Sequence, residues 1–103
     1  MAVIHIKNFV QNSNFAGSRQ NGVKVREEIL TKLKDGNGVT LDFVDIDLIT
    51  QSFGDEVLGI LTRMHGIEFI KENIRVHNAN NEIKSVLNYV VKYSQKYFKE
   101  TAA

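Results

Sequence analysis

A hydroxyl at the head of a helix can cap it, hold a ligand or carry a phosphate. Ser52, in the stretch VTLDFVDIDLITQSFGDEVLGIL, stands at such a place. Thr50, Gln51 and Ser52 carry no charge, yet Asp42, Asp45, Asp47, Asp55 and Glu56 surround them, and no Lys or Arg falls from Val39 to Thr62. Ser52 and Asp55 have the S-x-x-D spacing of a capping box, in which each side chain bonds an amide otherwise left open at the helix start. On the local sequence, ordinary capping by Ser52 is the favoured reading. The same helix head has free amides and a positive dipole end, so it also suits a phosphate. Asp55 and Glu56 would oppose that charge within one turn.

Paired carboxylates can also hold Mg²⁺. In an extended segment Asp45 and Asp47 share one side and Asp42 faces the other. A solvated acidic face is therefore expected ahead of a metal cluster, and no cofactor is expected. GSRQNGVK, Gly17 to Lys24, opens a helix as a phosphate-binding loop would, but it has Gly22-Val23-Lys24 where that motif needs Gly-Lys-Ser/Thr. His5, His65 and His77 are far apart and lack ligand spacing. A serine nucleophile needs a His–carboxylate partner, and ITQSFGD is not a G-x-S-x-G elbow. The enzymatic alternative is thus a small hydrolase or a metal-dependent phosphoryl enzyme using Asp45, Asp47 or Asp55. Arg19 is the one cation that the expected topology brings close to the acidic turn, where it could pair with an acid or receive a phosphate.

Positioning these residues requires one small domain over residues 1–103, with its last residues, 99–103, frayed. The net charge of +1 gives no electrostatic case for nucleic acid or an anionic membrane. There is no cysteine, which removes disulfides and thiolate chemistry and makes the cytoplasm the default compartment. No apolar run approaches a membrane span.

Alternation predicts a strand over Ala2 to Phe9. A polar loop leads to a helix from about Arg19 to Lys34, with Ser18 as N-cap and Val25 (or Arg26), Ile29, Leu30 and Leu33 inward. Gly36 or Gly38 ends it. VTLDF begins a second strand whose apolar character runs on through Val44 and Ile46, as in a strand covered on both faces. A second helix spans about Ser52 to Met64, with Phe53, Val57, Ile60, Leu61 and Met64 inward, closed by His65 and Gly66. Arg63 suits the negative end of its dipole. GIEFIKE is either loop or a short edge strand. NIRVHNA is a third strand. The last helix runs from about Asn81 to Phe98, with Ile83, Val86, Leu87, Val90, Tyr97 and Phe98 inside. The β-α-β-α-β-α order argues a parallel or mostly parallel sheet. The loop to Ser18 and Arg19, the Asp45–Ser52 turn and His77–Asn81 should gather beyond the strands' carboxyl ends.

The stretch Val39 to Leu61 resembles the central strand-turn-helix of STAS domains, the fold of anti-sigma-factor antagonists. More closely, GSRQNG, LDF, SFGDE and VHNANNEIKSVLNYV resemble the STAS-like family of unknown function, from Gly17 to Val91. The resemblance implies an α/β fold with a mixed or mostly parallel sheet of about four strands flanked by helices. In the antagonists, a serine at the start of this helix is phosphorylated by a kinase of the histidine-kinase-type ATPase fold, and Ser52 falls at that position. Thr50 stands where an acid is usual, Phe53 where a glycine is usual, and GDE where apolar residues follow. The expectation is a non-enzymatic regulatory module that docks a protein partner. Its site residues are Ser52, Phe53, Asp55, Glu56, Arg19, Thr50 and Asn78.

Overall fold

The computed structural model describes residues 1–102, with side chains described over 1–98. The expected frayed end, 99–103, lies outside the fully described residues. β1 (Ala2–His5), β3 (Val39–Asp42) and β5 (Ile74–His77) form an all-parallel sheet in the order β1-β3-β5, with Leu41 opposite Ile4 on one side and Val76 on the other. A second sheet holds only β2 (Phe15–Ala16) and β4 (Leu48–Ile49), also parallel. Among the described residues there are five strands, close to the expected four, divided between two parallel sheets. Two-residue strands are too short to show a period in sequence.

The central strand is apolar because both of its faces are covered: Val39, Thr40 and Leu41 are all buried. It does not continue through Val44 and Ile46. The Asp42 carboxylate accepts the Val44 N–H at 3.0 Å, an Asx-turn that ends the strand. Asp45 then takes a left-handed φ of 63°. The first strand likewise stops at His5, and Ile6–Phe9 coil into a 3₁₀ turn that keeps Ile6 buried.

α1 (Arg19–Lys34) begins at Ser18, whose Oγ accepts the Asn21 N–H at 3.0 Å, as expected. It ends at Gly36, where φ is 86° and the Gly36 and Asn37 amides return to Leu33 and Lys32 carbonyls. Val25 and Ile29 are buried, Arg26 and Leu33 are half-buried, and Leu30 is exposed.

α2, residues 51–65, is one continuous helix with three parts: Gln51–Gly54, a π-turn over Asp55–Gly59, and Ile60–His65. The π-turn adds one residue to the winding and turns the downstream face. Leu58 and Thr62 join Phe53, Val57 and Leu61 in the core, Ile60 is only half-buried, and Met64 is 59% exposed. GIEFIKE is neither loop nor edge strand. It forms α3 (Ile67–Asn73), which buries Ile70 and stacks Phe69 on His65. α4 (Asn81–Ala102) starts with Asn80 Oδ1 accepting the Ile83 N–H at 2.8 Å. It buries Ile83, Leu87, Val90 and Ser94, while Tyr97, expected inside, is 42% exposed. α2 lies between α1 and α4, and α1 also packs on the sheet. No helix among the described residues is long and apolar enough to cross a membrane.

Candidate functional site

The head of α2 is built by Thr50, not Ser52. Thr50 takes extended backbone, and its Oγ1 accepts the Phe53 N–H at 3.1 Å. The same hydroxyl donates to the Gly17 carbonyl at 2.8 Å, tying the entry of α1 to the entry of α2. Ser52 is therefore already inside the helix and makes no capping bond. The Ser52–Asp55 capping box is not formed, because the helix starts two residues earlier than the motif implies. Among the described residues no hydrogen bond engages the Ser52 hydroxyl.

Asp55 and Glu56 turn to arginines instead of amides. Arg63 donates from Nη1 to Asp55 Oδ1 at 2.8 Å and from Nη2 to Oδ2 at 3.3 Å. Arg63 Nη1 also donates to the buried Ser94 Oγ at 2.8 Å. Glu56 accepts from Arg19 Nη1 at 2.7 Å and from Arg26 Nη1 at 2.9 Å. Arg26 also donates to the Glu56 carbonyl at 2.7 Å, and Arg19 Nη1 reaches within 3.7 Å of Asp55. The fork of hydrogen bonds from Arg63 holds the Asp55 carboxyl below its usual range, against the opposing effect of burial. Burial pushes the Glu56 carboxyl up, but the bonds from Arg26 and Arg19 outweigh it and leave the group below its usual range. Arg63 is raised in turn, chiefly by its bonds to Asp55.

Arg19 is thus not the only cation at the acidic residues. Arg26 and Arg63 share them, and Lys7 pairs with Asp45 at 3.0 Å. Arg26 occupied a place on the inner face of α1 that its sequence neighbours left open. Arg63 read as a dipole partner because plain α-helical winding does not stack residue 63 over residue 55.

Arg19, Ser52, Asp55, Arg63, Tyr89 and Tyr93 line a cleft of about 280 Å³ between the starts of α1 and α2 and the flank of α4. Of the expected site residues, the fold brings Arg19, Ser52 and Asp55 together here, with Glu56 joined through Arg19. Thr50 caps beside them. Phe53 is fully buried and offers no surface, so it holds the turn from within. Asn78 lies elsewhere, at the end of β5. It has a left-handed φ of 59°, and its Nδ2 donates to Asp42 at 2.9 Å, which holds the Asp42 carboxyl below its usual range.

The strand-end loops do converge, but the acids in them do not cluster. Asp42 faces Asn78 and His5, Asp45 faces Lys7, and Asp47 accepts from Asn14 at 2.9 Å. The segment is a turn rather than an extended strand, so the expected sharing of one side by Asp45 and Asp47 does not arise. No group of acids and histidines fit to hold a metal ion occurs among the described residues. The tyrosines of α4 carried the least signal in the sequence. Tyr89, Tyr93 and Tyr97 recur every four residues, with the Tyr89 and Tyr93 rings stacked at 6.1 Å and the Tyr93 and Tyr97 rings tilted by 58° at 5.4 Å.

A family model described as a STAS-like domain of unknown function matches residues 21–84, well over half of the chain. No curated protein and no solved structure matches it.

Proposed function

Because the chain belongs to the family of STAS-like domains of unknown function, we propose that it is a non-enzymatic regulatory module of the cytoplasm. It docks a protein partner through the face around the head of α2, and a phosphate on Ser52 releases that partner. The observation that carries this reading is the division of labour at residues 50 and 52. Thr50 does the capping, so the Ser52 hydroxyl is left without a structural task on the wall of a cleft. The cleft's other residues include two arginines and two tyrosines, and Arg and Tyr are among the residue types that dominate binding energy at interfaces. A phosphate on Ser52 would add a charge of about −1.5 to −2 in the cleft that Arg19 and Arg63 line. By likeness to the antagonists, a kinase of the histidine-kinase-type ATPase fold is the enzyme that would place it.

The test compares wild type, Ser52→Ala and Ser52→Asp by thermal melting and by partner capture from lysate of the native host. Ser52→Ala should keep both fold and partner. Ser52→Asp should keep the fold and lose the partner. A folded Ser52→Asp protein that retains every wild-type partner removes the switch from this reading.

A further inference from the structure

The arginine–carboxylate cluster beside Ser52 is one anion short. Arg19, Arg26 and Arg63 face two carboxylates, Asp55 and Glu56, so the group carries one surplus positive charge. The surplus lies at the cleft. Arg26 is withdrawn at 18% side-chain exposure, while Arg19 is 58% exposed and engages both acids through Nη1 alone. A guanidinium has five N–H donors, so most of those of Arg19 remain unspent. Nearby, the side chains of Gln51, Ser52 and Tyr89 line the same cleft, and none makes a hydrogen bond among the described residues. The one carboxylate in the cleft wall, Asp55, is already covered by Arg63. A cleft rich in unspent donors and positive in sum recognises an oxyanion, and the three terminal oxygens of a phosphate offer more acceptor sites than a carboxylate does.

The opposite wall is aromatic. Tyr89 and Tyr93 are 53% and 46% exposed and nearly parallel, with 11° between their planes. They offer ring surface on which a flat group can stack. The volume of about 280 Å³ falls just below the roughly 300–1,000 Å³ span of small-molecule sites. It suits a mononucleotide-sized ligand and not a dinucleotide.

We propose that this cleft binds a small phosphomonoester carrying a flat ring, of the class of a nucleoside monophosphate, with its phosphate at Arg19 and Arg63 and its ring against Tyr89 and Tyr93. The ligand would occupy the face assigned above to partner docking, so it would regulate that docking. In that regulatory sense alone the inference rests on the docking reading; ligand binding itself does not require Ser52 to be modified.

The test is an NMR titration of the whole chain with adenosine 5′-monophosphate, with adenosine and inorganic phosphate as separate arms. Saturable shifts are expected at the amides of residues 51–52 and 89–93 and at the Arg19 side chain, with a dissociation constant of about 1 mM or tighter. Adenosine and inorganic phosphate should each bind at least about tenfold more weakly. Arg19→Gln removes an exposed side chain and the surplus charge. Together with Tyr89→Ala, it should weaken the monophosphate by a similar factor while the amide spectrum stays that of a folded protein. No saturable shift, equal binding of either control compound, or full binding by folded Arg19→Gln protein overturns the proposal. Release of the partner by Ser52→Asp is measured independently. Partner release without nucleotide binding sinks this inference alone, and nucleotide binding without partner release sinks the switch alone.

Discussion

Thr50 performs two tasks with one oxygen, accepting from the Phe53 amide and donating to the Gly17 carbonyl. Its loss should therefore sit at the upper end of helix-cap substitutions, and Thr50→Ala is expected to lower stability by about 2 kcal/mol. Ser52→Ala, which removes no cap, should stay within about 0.5 kcal/mol of wild type. Urea denaturation with an unchanged slope measures both, and the reverse order would mean that Ser52 caps in solution. The motif misled because two overlapping patterns fit the same six residues, Thr50 to Asp55. Ser52 with Asp55 satisfies S-x-x-D in letters, whereas Thr50 satisfies the backbone, since it is still extended when the helix begins. Gly17, the second partner of Thr50, is thirty-three residues away and could not be paired with it by any local rule.

Within α2, the π-turn decides what the second half of the helix faces. It also explains Gly59, since a Cβ there would collide with the Asp55 carboxylate and press on Ser94 Oγ. Gly59→Ala is expected to destabilise by about 1–3 kcal/mol, the cost of overpacking, and to loosen the Asp55–Arg63 pair. At Gly54 a Cβ would press on Val86 Cγ1 at 3.3 Å and meet Val90 and Ile49 at ordinary contact distance, so Gly54→Ala should change stability by no more than about 1 kcal/mol. Equal effects of the two substitutions in chemical denaturation would refute the difference. The existence, order and type of the main elements were legible in sequence, because Val39–Leu41, α1 and α4 each show a clear period or a buried run. What was illegible followed from winding and shortness. A stripe counted at 3.6 residues per turn places Met64 inside and Arg63 at a helix end, and one extra residue undoes both. α3 has seven residues and one buried side chain, Ile70, too few to declare a helix. The cleft was half legible: Arg19, Ser52 and Asp55 fall near one another in the expected topology, but the tyrosine wall does not.

At the scale of the molecule, the arginine–carboxylate network links α1, α2 and α4, with Arg26 reaching Glu56 and Arg63 reaching both Asp55 and Ser94. Its carboxyls are lowered on folding, so the unfolded chain binds their protons more tightly. The network's contribution is complete above the ordinary values of 4.5 for Glu56 and 3.8 for Asp55, and is lost as pH falls below them through the folded values. The urea midpoint should hold steady near neutrality and drop below about pH 4.5. The Asp55→Asn/Glu56→Gln protein should be less stable at pH 7 and show a shallower acid slope. An unchanged slope would place the acid sensitivity elsewhere.

The chain has no tryptophan and three tyrosines, and all three tyrosines stand in the single ladder on α4. Its ultraviolet emission therefore originates from one stripe of one helix, two rungs of which form a wall of the cleft. The molecule carries its own lamp beside the proposed binding site. Quenching by a stacked ring is visible without a label, and heating followed by this light reports the release of α4 specifically. Coincidence of that signal with circular dichroism would show whether the last helix leaves with the rest of the fold or before it.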